Sequence, residues 1–270
     1  MKVESFIRAA PHKRVSEDSI VLNKKLNVYG VFDGATPLVA FQDENGMNGA
    51  YLASNIFKDY FFRLYRSHLS LVKGIVAANR MLRDHMEKYK VNQEKYEHLW
   101  STCAAIIKIE KEGKISYAQL GDCMIITEYQ NGTIKALTRD TVKDISSRAK
   151  VWREEQRKQG VNLPNEKYFE DLTHQLIFNR SLANRPYGYS VANGSEEVLN
   201  FIQHGQVNIS EIKTLLMITD GLFHPHESIE ETFKKIEQSG IDRYAIELEH
   251  FEKQNNLRHD DKAGIFIRFT

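Results

Sequence analysis

Two apolar runs in this chain stop at the same dipeptide: "VYGVFDG", residues 28–34, and "LLMITDG", residues 215–221. Runs this short, rich in β-branched, aromatic and aliphatic residues and bounded by a turn signal, read as buried strands. Each ends in a lone carboxylate, Asp33 or Asp220, followed by the residue that lets backbone turn sharply and approach a ligand most closely. Taken singly, an Asp-Gly pair is an ordinary turn. Two further acidic pairs also border strands, Glu17-Asp18 before the first and Asp260-Asp261 before the last. Carboxylates gathered at strand ends suit hard divalent cations, because Mg²⁺ and Mn²⁺ prefer oxygen ligands. No His/Cys spacing suggests zinc.

The remaining pattern bounds the architecture. Residues 20–32 read as two strands around a turn at Asn23-Lys24-Lys25, and residues 47–91 switch to the three- and four-residue period of two long helices. Residues 101–138 read as three or four strands in an antiparallel meander, punctuated by Glu112-Gly113 and by Asn131-Gly132, a strong hairpin signal. Residues 141–185 are charged and helix-prone, a surface excursion broken by Pro164 and Pro186. Helices are expected over 227–236 and 241–255, then a terminal strand. This order predicts an α+β fold, an α-β-β-α sandwich of two central antiparallel sheets flanked by helices. With no linker-like stretch, residues 1–270 are expected to form one domain with a variable insertion at about 141–190.

Charge narrows the partners. Lys+Arg number 37 against Asp+Glu 36, a net of +1, without the excess expected of a nucleic-acid or anionic-membrane binder. The basic stretch "SRAKVWREEQRKQG" is accordingly a solvated helical face. No apolar stretch of membrane-spanning length appears, and Cys103 and Cys123 sit in apolar runs as buried thiols. A cytoplasmic, monomeric protein is the expectation.

Six segments, in order, resemble the metal-dependent Ser/Thr protein phosphatases of type 2C. "RVSED" resembles the family's Arg-x-x-x-Glu-Asp opening, one residue short; "VYGVFDGATP" its Val-Phe-Asp-Gly-His-Gly segment; and "STCAAIIKI" its Gly-Ser-Thr-Ala strand. "YAQLGDCMIITEYQNGTIKALTRD" is similar to the segment built on Gly-Asp-Ser-Arg, "LLMITDGLFH" to Leu-Ala-Ser-Asp-Gly-Leu-Trp-Asp, and "HDDKAGIFIRF" to the closing Asp-Asn/Asp strand. "DGAT" and "RPYGYSVANG" look like a bacterial branch.

The resemblance implies hydrolysis of phosphoserine and phosphothreonine in phosphorylated proteins by a hydroxide bridging two Mn²⁺ or Mg²⁺ ions. Asp33 would bridge the ions. Glu17 and the Gly34 carbonyl would serve one and Asp220 and Asp260 the other, with Asp261 the alternative to Asp260 by one step of register. Asp18 would orient ligands, and Asp122 would be structural. Arg14 would bind phosphate as a guanidinium fork, Lys13 being the alternative by spacing. The family's histidine after Asp-Gly, its general acid, is Ala35 here. His12, His224 and His259 are the candidates to replace it. A third metal position would need an aspartate where His224 stands, although Asp140 fits its other ligand. Two other readings remain open at this point: a non-catalytic relative that binds phosphorylated partners, and a phosphatase for small phosphorylated metabolites.

Overall fold

The computed structural model describes residues 1–35 and 38–269; Thr36 and Pro37 of "DGATP" lie outside them. Among the described residues, ten strands form two five-stranded antiparallel sheets. One contains β2 (Ser19–Asn23), β3 (Val28–Gly34), β4 (Thr102–Ile109), β5 (Lys114–Leu120) and β8 (Gln203–Asn208), in that spatial order. The other runs β1 (Lys2–Arg8), β10 (Lys262–Arg268), β9 (Ile212–Ile218), β6 (Met124–Tyr129), β7 (Ile134–Ala136). Helices α1 (Gly49–Asp59) and α2 (Leu71–Lys88) cover the first sheet, and α5 (Ile229–Ser239) and α6 (Ile241–Gln254) cover the second. Helices α3 (Ile145–Lys158) and α4 (Leu172–Ser181) belong to the excursion. The four-layer sandwich expected from the sequence is the architecture formed.

Strand parity sorts the core into layers, because alternate side chains point to opposite faces. Val28 and Phe32 turn outward onto Phe57, Ile75 and Leu82 of the first helical layer. Tyr29 and Val31 turn inward, with Ala105, Ile107 and Cys103, against Ile125, Leu215, Met217, Ile265 and Ile267 of the facing sheet. Ile126, Leu216 and Phe266 turn outward beneath Phe233, Ile241 and Leu248. Fully burying each of these large side chains contributes about 1.5–3 kcal/mol, so register is firmly held. One step beyond Tyr29 and Val31 on the same face comes Asp33, paired in register with Cys103. Beyond Leu215 and Met217 comes Thr219, and before Ala263 comes Asp261. The alternation that fills the space between the sheets thus delivers polar residues to one end of it.

Three elements differ from the sequence expectation. The strands of residues 102–136 are not one meander: β4 and β5 pair in one sheet and β6 and β7 in the other. The chain changes sheets at Gly121-Asp122, where Gly121 has φ +80° and an added Cβ would lie 2.1 Å from the Cys103 sulfur. Edge strand β1 escapes a periodicity reading because charges interrupt it, and edge strand β8, "QHGQVN", has no apolar run.

Candidate metal centre

Seven carboxylates converge on the end of the sandwich in two tiers. Glu17, Asp18 and Asp261 are buried, at 7%, 4% and 3% exposure; Asp33, Asp122, Asp220 and Asp260 are half-buried and form the open face.

The lower tier is held by specific donors. Asp261 accepts the Ala10 N–H at 2.8 Å, the Glu17 N–H at 2.7 Å and the Lys13 ammonium at 2.9 Å. Lys13 also donates to Glu17 Oε2 at 2.7 Å and stands 3.8 Å from Asp260 Oδ1. The other Glu17 oxygen accepts from Asn48, which caps α1 by accepting the Tyr51 N–H at 3.0 Å. Burial alone would lower the Lys13 pKa, but its hydrogen bonds to Glu17 and Asp261 outweigh that and hold it above the usual lysine value. Asp18 accepts the Thr219 hydroxyl at 2.8 Å. Desolvation nevertheless raises its pKa, as do the charges of Asp220, Asp261 and Asp260.

Charge in the upper tier is less compensated. Asp33 and Asp220 lie within hydrogen-bonding reach of each other. Burial raises the pKa of Asp33, and the charges of Asp18, Asp220 and Asp122 raise it further. Asp122 is pushed up to about 7, first by burial and then by Asp220, against a lowering contact from the Cys103 thiol. Asp220 is likewise raised, by burial first and then by Asp260, while Arg258 opposes the shift. Asp260 Oδ2 lies 3.5 Å from that exposed arginine. The buried Asp122 Oδ1 has no hydrogen-bond partner. Asp33, Asp122 and Cys123 each bring a ligand atom within 4.8 Å of the others. Burial raises the pKa of both cysteines, so the adjoining thiols stay protonated.

Both Asp-Gly glycines are required by close approach. A Cβ on Gly34 would lie 2.3 Å from the Ala50 carbonyl oxygen and 2.7 Å from that of Glu17. One on Gly221 would lie 1.8 Å from the Asp261 carbonyl oxygen. Each glycine lets two carboxylate-bearing segments touch.

Arg14 is exposed and, among the described residues, joins no ion pair; Lys13 is the cation that enters the cluster. The Ala35 N–H donates to the Ser101 carbonyl at 3.0 Å, and the Ser101 hydroxyl accepts from Arg180 of α4 at 2.6 Å. His224 packs against the Phe251 ring at a 43° tilt and lies 3.6 Å from Glu227, with its pKa lowered by burial. His259 contacts Glu252 at 3.0 Å, and His12 is exposed. Asp140 accepts the Val142 and Lys143 N–H groups, both at 2.8 Å. Sequence reasoning did not find Asn48, Thr219 or the closeness of Asp122 to Asp33. Of these only Asn48 carries a local signal, an N-cap residue ahead of a helical period.

Seven carboxylates, their excess negative charge and an orphaned carboxylate oxygen fit a hard divalent cation, for which the protonated Cys123 thiol beside them is a poor ligand. The cluster is thus a candidate metal centre at one end of an α-β-β-α sandwich. The chain belongs to the protein phosphatase 2C family, whose model matches residues 14–257. This family removes phosphate from serine and threonine in proteins with divalent metal ions. The fold is similar to that of the serine/threonine phosphatase Stp1 from Staphylococcus aureus, at 16% identity and TM-score 0.60 over 100% of this chain and 95% of that one. It is also similar to the Mycobacterium tuberculosis serine/threonine phosphatase PstP/Ppp, at 13% identity and TM-score 0.61 over 98% and 97%. A structure of the PstP catalytic domain in complex with two manganese ions matches at 13% identity and TM-score 0.61, over 98% and 96%. No curated protein matches the sequence. Among the described residues, no helix is long and apolar enough to cross a membrane.

Proposed function

We propose that this chain is an active cytoplasmic Mg²⁺- or Mn²⁺-dependent phosphatase for phosphoserine and phosphothreonine in proteins, working as a monomer through one 2C-type domain over residues 1–270. The carrying observation is the upper tier of carboxylates, gathered at one end of the sandwich, where burial first and then neighbouring carboxylates raise the pKa values of Asp33, Asp122 and Asp220 together. A pure phosphate-binding module has no physical use for such a concentration of negative charge. The two manganese ions held by the PstP relative support the cation reading.

Glu17, Asp33, the Gly34 carbonyl, Asp220 and Asp260 would hold the ions, with Asp122 placed to join them. When bound, two such ions lower the pKa of a shared water and neutralise phosphate oxygens during in-line displacement. Strand β3 fixes Asp33, and Thr219 orients Asp18. Lys13, held charged by Glu17 and Asp261, would offer an ammonium to a phosphate oxygen, a role that exposed Arg14 is poorly placed to take. Asp261 positions Lys13 and the Glu17 backbone, leaving Asp260 as the half-exposed ligand. With Ala35 in place of the acid and His224 and His259 engaged elsewhere, the departing serine oxygen lacks an imidazole donor from these positions.

The test is hydrolysis of p-nitrophenyl phosphate and of a phosphothreonine peptide, with Mn²⁺, without it, and after chelation. Activity on both that vanishes on chelation and returns with metal supports the reading. Undiminished hydrolysis after exhaustive chelation overturns it.

A further inference from the structure

A cavity of about 680 Å³ lies beside the carboxylate cluster, between the start of the α3/α4 excursion and the segment that closes it. Its wall is fastened to the residue before Asp122. The Gly121 carbonyl accepts the Thr141 N–H at 3.0 Å, and the Gly121 N–H donates to Ser190 Oγ at 2.9 Å. The hydroxyls of Thr141 and Ser190 lie 3.0 Å apart. The cavity therefore adjoins the Asp122 end of the cluster, and the charge of Asp140 in its lining is felt by Asp122.

The lining is cationic: Arg139, Lys143, Arg148 and Arg185, against Asp140 and Asp144. Among the described residues, none of these four cations forms an ion pair, unlike Arg153 and Arg157 of the same excursion, which both pair with Glu166. Asp140 is occupied by backbone N–H groups. Arg148 fastens the walls together, donating to the carbonyls of Gly188 at 2.7 Å and Lys143 at 3.2 Å. Arg185 lies over the Tyr96 ring, and its charge is felt by Glu197. Arg139 and Lys143 are exposed and keep their charges toward solvent. At the rim Tyr187 is 69% exposed and held at φ +68°, a backbone region costly for a side chain of this kind. Because the whole chain carries only +1, this is a local concentration of positive charge. Strain and unpaired charge at a rim are features of binding sites.

We propose that this cavity is the subsite for residues flanking the phosphorylated side chain, and that it selects segments rich in Asp and Glu. The proposal rests on the phosphatase reading and adds the substrate class. Arg139 and Lys143 supply the electrostatic selection, and Tyr187 supplies an aromatic contact for the flanking chain.

The test compares two phosphothreonine peptides, identical except that flanking glutamates in one are glutamines in the other, on the wild type and on Arg139→Glu/Lys143→Glu. The wild type should favour the acidic peptide by about 10-fold in kcat/KM, carried by KM and eroded by added salt, as expected for rim charges. The double variant should lose that preference while hydrolysing p-nitrophenyl phosphate normally. Equal use of the two peptides by the wild type, or a preference that survives the double substitution, overturns the proposal. A second readout is independent of turnover: amide NMR shifts with the threonine forms of both peptides in the presence of chelator. Perturbation of residues 139–143 and 185–190 by the acidic peptide alone supports the subsite. Perturbation by neither peptide, by both equally, or as strongly by a single-stranded oligonucleotide of equal charge contradicts it. Failure of the phosphatase reading shows separately, as absence of hydrolysis of every substrate with metal present.

Discussion

The two tiers of carboxylate at the end of the sandwich use the same chemistry for opposite ends. In the lower tier, Asp261 and Glu17 meet N–H donors and the Lys13 ammonium, so their charge is spent on joining the N-terminal segment to the last strand. In the upper tier, Asp33, Asp122 and Asp220 face one another, and each is pushed toward its protonated form. A fold that placed these side chains for stability alone would have supplied partners, as it did for Asp261. On the proposed reading, Asp261 builds the site, and the upper tier, joined by Glu17 from below, is offered to the metal.

The largest expected effect comes from breaking the upper tier. Asp33→Asn should reduce phosphatase activity by more than the roughly 10- to 100-fold typical of residues that only support a metal ligand. Near-normal turnover would show that Asp33 is not central.

Substituting the neighbouring aspartates one at a time should divide stability from function. Asp261→Asn takes one carboxylate from Lys13, which keeps Glu17, and weakens the acceptor of the Ala10 and Glu17 N–H groups, so it should cost about 1.5–3 kcal/mol in urea unfolding, the scale of a charge-assisted hydrogen bond. Asp260→Asn should cost stability no more than the roughly 1 kcal/mol of an exposed pair, while weakening Mn²⁺-dependent activity strongly. The reverse pattern would exchange the roles assigned to these residues.

The raised carboxyls, Asp18 of the lower tier included, should also make stability depend on pH. A carboxyl whose pKa is raised on folding binds more protons in the folded state, so it favours folding at low pH and opposes it as pH rises through the folded value. Asp122 moves from 3.8 to about 7, so the metal-free protein should lose stability between those values. Lys13, raised above 10.5, contributes stability that is fully present below that value and does not change in this window. Melting temperature with and without Mn²⁺ checks this. The gain from metal should be larger at neutral pH than at mildly acidic pH, and a pH-independent gain would show that these carboxyls do not repel one another as argued.

A smaller effect distinguishes the two adjacent cations. Lys13→Met should lower kcat/KM for p-nitrophenyl phosphate by about 10-fold, the scale of one charge-assisted contact, whereas Arg14→Met should leave it unchanged. The smallest change is at Ala35: Ala35→His should make the dependence of rate on leaving-group pKa shallower, since a general acid matters most for poor leaving groups. A flat wild-type dependence, unaltered by the substitution, would mean the chain already holds an acid elsewhere.

Much of this was legible in the sequence because it is local. Apolar runs ending in Asp-Gly mark β3 and the end of β9, and the helical period marks α1, α2, α5 and α6. The α+β sandwich follows from their order. Edge strands β1 and β8 were not legible, since a strand with one sheet neighbour need not be apolar. Tertiary choices were hidden too. Spacing alone leaves Lys13 or Arg14 and Asp260 or Asp261 open. Once the last strand pairs with β1 and β9, Asp261 lies beneath Ala10 and Glu17, and Lys13 turns inward with it. The unpaired cations of the excursion could not be recognised from a segment in which acids and bases alternate.

The most direct measurement is the number of Mn²⁺ ions bound per chain, by equilibrium titration with electron paramagnetic resonance, for the wild type, Asp33→Asn and Arg14→Met. About two ions, the number that in-line displacement at a paired site requires, should bind the wild type and Arg14→Met, and affinity for both ions should collapse in Asp33→Asn. A wild type that binds no Mn²⁺, or an Asp33→Asn variant that binds it undiminished, would contradict the claim that the uncompensated tier is the metal site.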